Sequence, residues 1–175
     1  TAAGKRIATV AGANLKKMVM ELGGSDPFIV FPDADLDKAA KAAVFSRFQN
    51  GGQSCIAAKR IIVHTDVYDE FRMKFVSAVK ALRTGDPLDP LTEMGPLVNA
   101  NAADELERQL AATIGAGAKL LCGGRAGSEH PALFIPAVID EVSALSPLAC
   151  EETFGPAAPL FRFRSPDEAV SMANS

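Results

Sequence analysis

Tryptophan is absent from this 175-residue chain, tyrosine occurs once, histidine twice and cysteine three times. Cys55, Cys122 and Cys150 are odd in number and widely spaced, with no C-x-x-C among them. That excludes a disulfide framework and a zinc ribbon, and it favours a reducing compartment, the cytoplasm. His64 and His130 form no recognisable Cys–His motif, which argues against a cysteine protease. A basic excess is also missing. The formal net charge is −3, so no nucleic-acid partner is expected. No apolar run approaches the roughly 20 residues that span a bilayer, so no membrane partner is expected either. The opening "TAAGKRIATVAG" lacks the apolar stretch of a signal peptide. Internal repeats and low-complexity tracts are lacking as well. The chain starts at Thr1 in a helix-like pattern and stops at "SPDEAVSMANS", a helical pattern still under way. It reads as a piece of a longer protein.

What is present is enough apolar material, 48%, for one compact core. Residues 1–13 read as a short helix, and "LKKMVMEL" (15–22) and "PFIVF" (27–31) as strands. Leu36, Ala39, Ala40, Ala43, Val44 and Phe48 then recur at helical spacing, with Asp33 or Asp35 as N-cap. Gly51 and Gly52 end that helix. A strand at "RIIVH" (60–64) precedes an amphipathic helix over 66–83, with Phe71, Phe75, Ala78, Val79 and Leu82 on one face. A Pro/Gly-rich loop fills 84–97, and a further helix fills 99–115. "AKLLCGG", "ALFIPAVIDEV" and "AAPLFRFR" supply more strand, the last with Phe161 and Phe163 inward and Arg162 and Arg164 outward. Strands alternating with helices predict an α/β fold, a mainly parallel sheet flanked by helices.

Within this frame "FQNGGQSCIAAKR" (48–60) sets Cys55 on a loop between a helix and a strand. Sites collect at such junctions in α/β sheets. Two glycines permit close backbone approach, and the small residues Ser54, Ala57 and Ala58 leave room for a substrate. A nucleophilic thiol needs a base or a lowered pKa. A buried structural cysteine is the plainer alternative, because free Cys packs as a small hydrophobe. In "MELGGSDPF", Glu21 stands at the end of the strand over 15–22, a place for a general base or for an ordinary exposed carboxylate.

Three segments occur in order: "MELGGSDPFIVFPDADLDKA", "FQNGGQSC" and "CEETFGPAAPLFRF". They resemble the glutamate, cysteine and E-E-x-F-G-P signatures of the aldehyde dehydrogenase superfamily, and "DPLDPLTEMGPLVN" resembles a further segment of it. The interval from Glu21 to Cys55 suits that family, and the resemblance runs from Thr1 to Ser175. It implies an aldehyde dehydrogenase-like catalytic domain in which Cys55 adds to an aldehyde. NAD or NADP takes the hydride, and Glu21 activates the water that hydrolyses the thioester. The N–H of Cys55 would donate to the oxyanion. By the same resemblance Glu152 binds the nicotinamide-side ribose, Phe154 stands beside it, and Leu22 lies under the nicotinamide. Thr1 and Gly4 close a turn at a helix N-terminus facing the pyrophosphate. Residues 1–21 would be the C-terminal end of the Rossmann-like cofactor domain, and 22–175 a catalytic domain truncated at its C-terminus. The resemblance implies a homo-oligomer for the full-length protein and no turnover by this piece alone.

Gln49 matches a position lining the substrate tunnel. The cysteine string is most similar to the bacterial succinate-semialdehyde branch of the family, so the expected substrate is succinate semialdehyde or a similar short polar aldehyde. Arg47 would either supply a cation there or face solvent. A cofactor-independent thiol acyl hydrolase and a non-catalytic domain are the competing readings. Asp33, Asp35 and Asp37 open like a calcium loop but lack its later Gly and Glu, so helix capping is expected and no metal. "CGGRAG" (122–127) lacks the P-loop Lys-Ser/Thr and reads as a surface turn. Cys122 is expected as a core thiol at a strand end. Cys150 precedes two acids, whose charge opposes a thiolate.

Overall fold

A computed structural model describes residues 1–127 and 130–175. Its elements run in the order α1 (Ala2–Ala13), β1 (Asp26–Val30), α2 (Leu36–Phe48), β2 (Ala58–His64), α3 (Tyr68–Lys80), α4 (Ala100–Gly115), β3 (Lys119–Arg125), β4 (Phe134–Asp140), α5 (Pro147–Cys150), β5 (Ala157–Phe163) and α6 (Pro166–Ala173). The sheet order is β1-β2-β5-β4-β3. The first three pairings across it are parallel, and only the edge strand β3 runs antiparallel, against β4. The expected mainly parallel α/β sheet is therefore present. β2 and β5 lie inside it, and their buried faces explain the near-continuous apolar runs "RIIVH" and "AAPLF".

Helix α2 starts where Asp35 accepts the N–H of Lys38 at 3.1 Å. Its Ala40, Ala43 and Phe48 pack with Phe71, Phe75 and Val79 of α3 and with Ile61 and Val63 of β2. Small alanines on α2 let α3 approach, and Phe48 then stacks on Phe75 with centroids 6.3 Å apart. A second core lies under α4, built from Leu106 and Leu110 against Phe134, Ile139 and Ala157. Among the described residues no group of acids, histidines and cysteines is arranged to hold a metal. No helix of the described residues is long and apolar enough to cross a membrane.

Two expectations fail. Residues 15–22 form no strand, and Leu15 and Val19 are almost wholly exposed. Alternation favours a strand only when a neighbouring ladder exists, and β1, the sheet's edge, pairs with β2 alone. The "CGGRAG" stretch is not a surface turn either. Cys122–Arg125 belong to β3, where Gly123 sits at φ +79° between register shifts. A β-carbon there would collide with the Pro136 carbonyl of β4, so the glycine permits a bulge inside the ladder. Cys122 accordingly lies half-buried within β3, and burial pushes its thiol pKa up.

Candidate active site

The cysteine loop is shaped by three consecutive residues in the left-handed region: Asn50 (φ 54°), Gly51 (φ 64°) and Gly52 (φ 71°). Glycine adopts this without strain, and asparagine is the residue that best tolerates it. Asn50 also closes the turn on Gln53, with side chain-to-carbonyl bonds of 3.0 Å in both directions. Gln53 then accepts the N–H of Val98 at 2.9 Å, which ties the loop to the chain ahead of α4. Gly52 packs so closely on the FGP turn that a β-carbon would stand 2.5 Å from the Gly155 carbonyl oxygen. Cys55 follows, exposed, on a turn that leads into β2.

The E-E-x-F-G-P segment is held from beneath by Arg47, the last turn of α2. Its Nε donates to Ala157 O at 2.6 Å, and its Nη2 donates to Thr153 O at 3.2 Å and to Gly155 O. Arg47 is fully buried and, among the described residues, has no carboxylate partner. Burial pulls its pKa down to about 9, which still leaves a cation at neutral pH, solvated by carbonyl dipoles. It neither faces solvent nor offers a charge to a substrate, so both expectations for Arg47 are overturned. The sequence pattern left it undecided because a basic residue near a helix C-terminus is usually explained by the dipole.

A second buried cation joins three segments. Lys59 Nζ donates to Ser54 O at 3.1 Å and to Cys55 O at 2.8 Å, and it lies 3.9 Å from Glu152 Oε1. Glu152 Oε1 also accepts the N–H of Gly24 at 3.3 Å. A β-carbon at Gly23 would collide with the Glu152 carboxylate, so the "GG" after Glu21 is what lets that acid lie against the strand-free segment. Glu21 and Leu22 are exposed just ahead of this contact. Leu22 in turn covers Gly4, whose added β-carbon would stand 2.6 Å from a Leu22 methyl. Cys55, Glu152 and the Glu21–Gly24 segment thus meet around Lys59, and Leu22 links them to the N-terminal turn of α1. Phe154 is half-exposed. Gln49 borders a groove with Lys41, Phe45, Asn50, Leu82 and Glu93, which Cys55 does not line.

Residues 1–175 match the family model described as "Aldehyde dehydrogenase family". The chain belongs to the aldehyde dehydrogenase family. It is 50% identical over 173 residues to succinate-semialdehyde dehydrogenase (NADP(+)) of Mycobacterium avium, a match covering 99% of this chain and 37% of that protein. The crystal structure of succinate-semialdehyde dehydrogenase from Burkholderia pseudomallei superposes with a TM-score of 0.96 at 41% identity, over 99% of this chain and 36% of that one. Lactaldehyde dehydrogenase from Escherichia coli does so with a TM-score of 0.95 at 38% identity, over 99% and 37%. The chain therefore spans little more than a third of the length of the curated relatives it matches.

In this aldehyde dehydrogenase chain the residues that sequence reasoning missed are Lys59 and Arg60. Arg60 donates to Ser25 O at 2.9 and 2.7 Å, to Met172 O at 2.7 Å and to Ala173 O at 2.9 Å. It ties the glutamate segment to the end of α6. The signal was available: two adjacent cations open a strand that is buried along its length. Buried charges require partners, and those partners define the site.

Proposed function

We propose that this chain carries the thiol site of an NADP(+)-dependent aldehyde dehydrogenase acting on succinate semialdehyde or a similar short polar aldehyde. The observation that carries the reading is the meeting of the three signature segments at Lys59 and Glu152. The names of the relatives at about 50% identity support the choice of aldehyde and of dinucleotide.

The residues present fit a dinucleotide. Among the described residues the Glu152 carboxylate takes its polar contacts through one oxygen, Oε1, and the residue is exposed, so the carboxylate has acceptor sites left for ribose hydroxyls. The first turn of α1 holds no acidic residue that would repel a pyrophosphate. Thr1, Gly4, Leu22, Glu152 and Phe154 would hold the group. A nicotinamide dinucleotide bound there supplies the hydride acceptor. On the chain's side, the Cys55 thiolate adds to the aldehyde carbonyl and makes a tetrahedral oxyanion, which the Cys55 N–H receives. Once the carbon is oxidised to the acyl thioester, Glu21 takes a proton from water. The hydroxide attacks the acyl carbon, the C–S bond breaks, and the acid and the Cys55 thiol are released. Residues 1–21 belong, on this reading, to the cofactor-binding part and 22–175 to the catalytic part.

Steady-state formation of NADPH by the intact protein tests the proposal. We expect kcat/KM for succinate semialdehyde to exceed that for butanal by about tenfold or more, and Cys55→Ser to lower it at least ~10³-fold. Undiminished oxidation by Cys55→Ser would overturn the catalytic reading, and a preference for butanal would overturn the substrate.

A further inference from the structure

The three donors of the Lys59 ammonium have unequal targets. Two go to the carbonyls of Ser54 and Cys55, on either side of the thiol-bearing Cα, and the third faces Glu152. The side chain is 1% exposed. The carbonyl of Ser54 and the N–H of Cys55 are the two ends of one amide. A cation on the oxygen of an amide draws charge toward it and makes its N–H a stronger donor. No backbone carbonyl among the described residues accepts from that N–H, which leaves it free to meet an oxyanion. We propose that Lys59 is a positioning residue of the thiol site: it fixes and polarises the 54–55 amide, and so strengthens the oxyanion donor that receives the aldehyde oxygen. The proposal rests on the reading of Cys55 as the nucleophile.

Two features make Lys59 suited to this task. Burial lowers its pKa while the nearby Glu152 carboxylate opposes the drop, so the same acid that would face the ribose also favours the charged lysine. The ammonium is also buried while Cys55 is exposed, and both of its hydrogen bonds go to backbone carbonyls, so on this proposal its charge acts through the peptide plane.

The test separates addition to a carbonyl, which creates an oxyanion, from alkylation, which does not. In the intact protein, iodoacetamide labelling of Cys55 is followed by peptide mass spectrometry with and without succinate semialdehyde. Protection by the aldehyde reports the thiohemiacetal. In Lys59→Met the apparent dissociation constant of the aldehyde should rise about tenfold or more. The alkylation rate without aldehyde should fall by less than about threefold, and Lys59→Arg should recover part of the aldehyde affinity. Equal losses in both readouts, or none in either, would overturn the role of Lys59. If Lys59→Met does not fold, Lys59→Gln against Lys59→Arg gives the same comparison, and equal affinities in those two would overturn it. Absence of aldehyde protection in the unsubstituted protein would instead remove the reading of Cys55 on which the proposal stands.

Discussion

At the scale of single residues the candidate site is organised by buried cations. Arg47 fixes Thr153, Gly155 and Ala157 through their carbonyls, and Lys59 fixes Ser54 and Cys55 the same way. A buried guanidinium is costly unless its donors are used, and its removal strands the acceptors it served. Arg47→Met is therefore expected to lower stability by about 3 kcal/mol or more, read as a shift of the urea midpoint at constant slope. Arg47→Lys should recover little of it, because one ammonium cannot reproduce the planar fork that reaches carbonyls across Thr153–Ala157. A lysine variant as stable as the parent would refute this account of Arg47. For Arg47 none of this was legible in the sequence, and for Lys59 the one sign was a pair of adjacent cations at the entry of a strand. "SRF" and "AKR" read as ordinary helix-end and strand-entry residues, whereas Cys55, Glu21 and Glu152 stood out because their segments resemble the three signatures of the family, each of which also carries glycine. Gly52 and Gly23 turned out to be the close approaches that bring those three segments together.

At the scale of elements the sequence was most reliable where a periodicity had a partner to pack on. The face of α2 and that of α3 were readable because each buries its apolar stripe against the other and against β2. Residues 15–22 show a strand's alternation but have no ladder to join, and β3 was obscured by two glycines that serve a bulge. A polar network also joins elements far apart in sequence. The Tyr68 hydroxyl of α3 donates to Asp140 at the end of β4, Arg72 Nη1 reaches the same carboxylate at 2.6 Å, and Arg162 of β5 lies 3.5 Å from the Tyr68 ring centroid. Burial pushes Asp140 up, but the hydrogen bonds from Tyr68 and Arg72 outweigh it and hold its carboxyl below the ordinary range. A carboxylate depressed in the folded state contributes stability above its unfolded pKa, about 3.9, and loses it as pH falls through the lower folded value. Stability should thus decline as the pH drops below about 4, and Asp140→Asn should remove part of that acid dependence while costing about 2–4 kcal/mol at neutral pH. Acid and neutral urea titrations check both; an Asp140→Asn protein with an unchanged acid profile would rule the network out as its source.

At the scale of the whole molecule, the mainly parallel sheet brings the three signature segments together through polar contacts. The loop after α2, the stretch before β1 and the turn before β5 lie far apart in the chain, yet Glu152 contacts both Gly24 and Lys59. The order of the three signatures was visible in the sequence. Their convergence was not, because it depends on side chains that reach across strands. On the proposed reading this convergence serves one thiol, Cys55, and not Cys122 within β3 or Cys150 at the end of α5. The most direct measurement is rapid-quench peptide mass spectrometry of the intact Glu21→Gln protein after mixing with NADP(+) and succinate semialdehyde. With the proposed water-activating carboxylate removed, an acyl thioester is expected to accumulate on the Cys55 peptide alone. NADPH formed with no acyl group on Cys55, or an acyl group on either of the other cysteines, would contradict it.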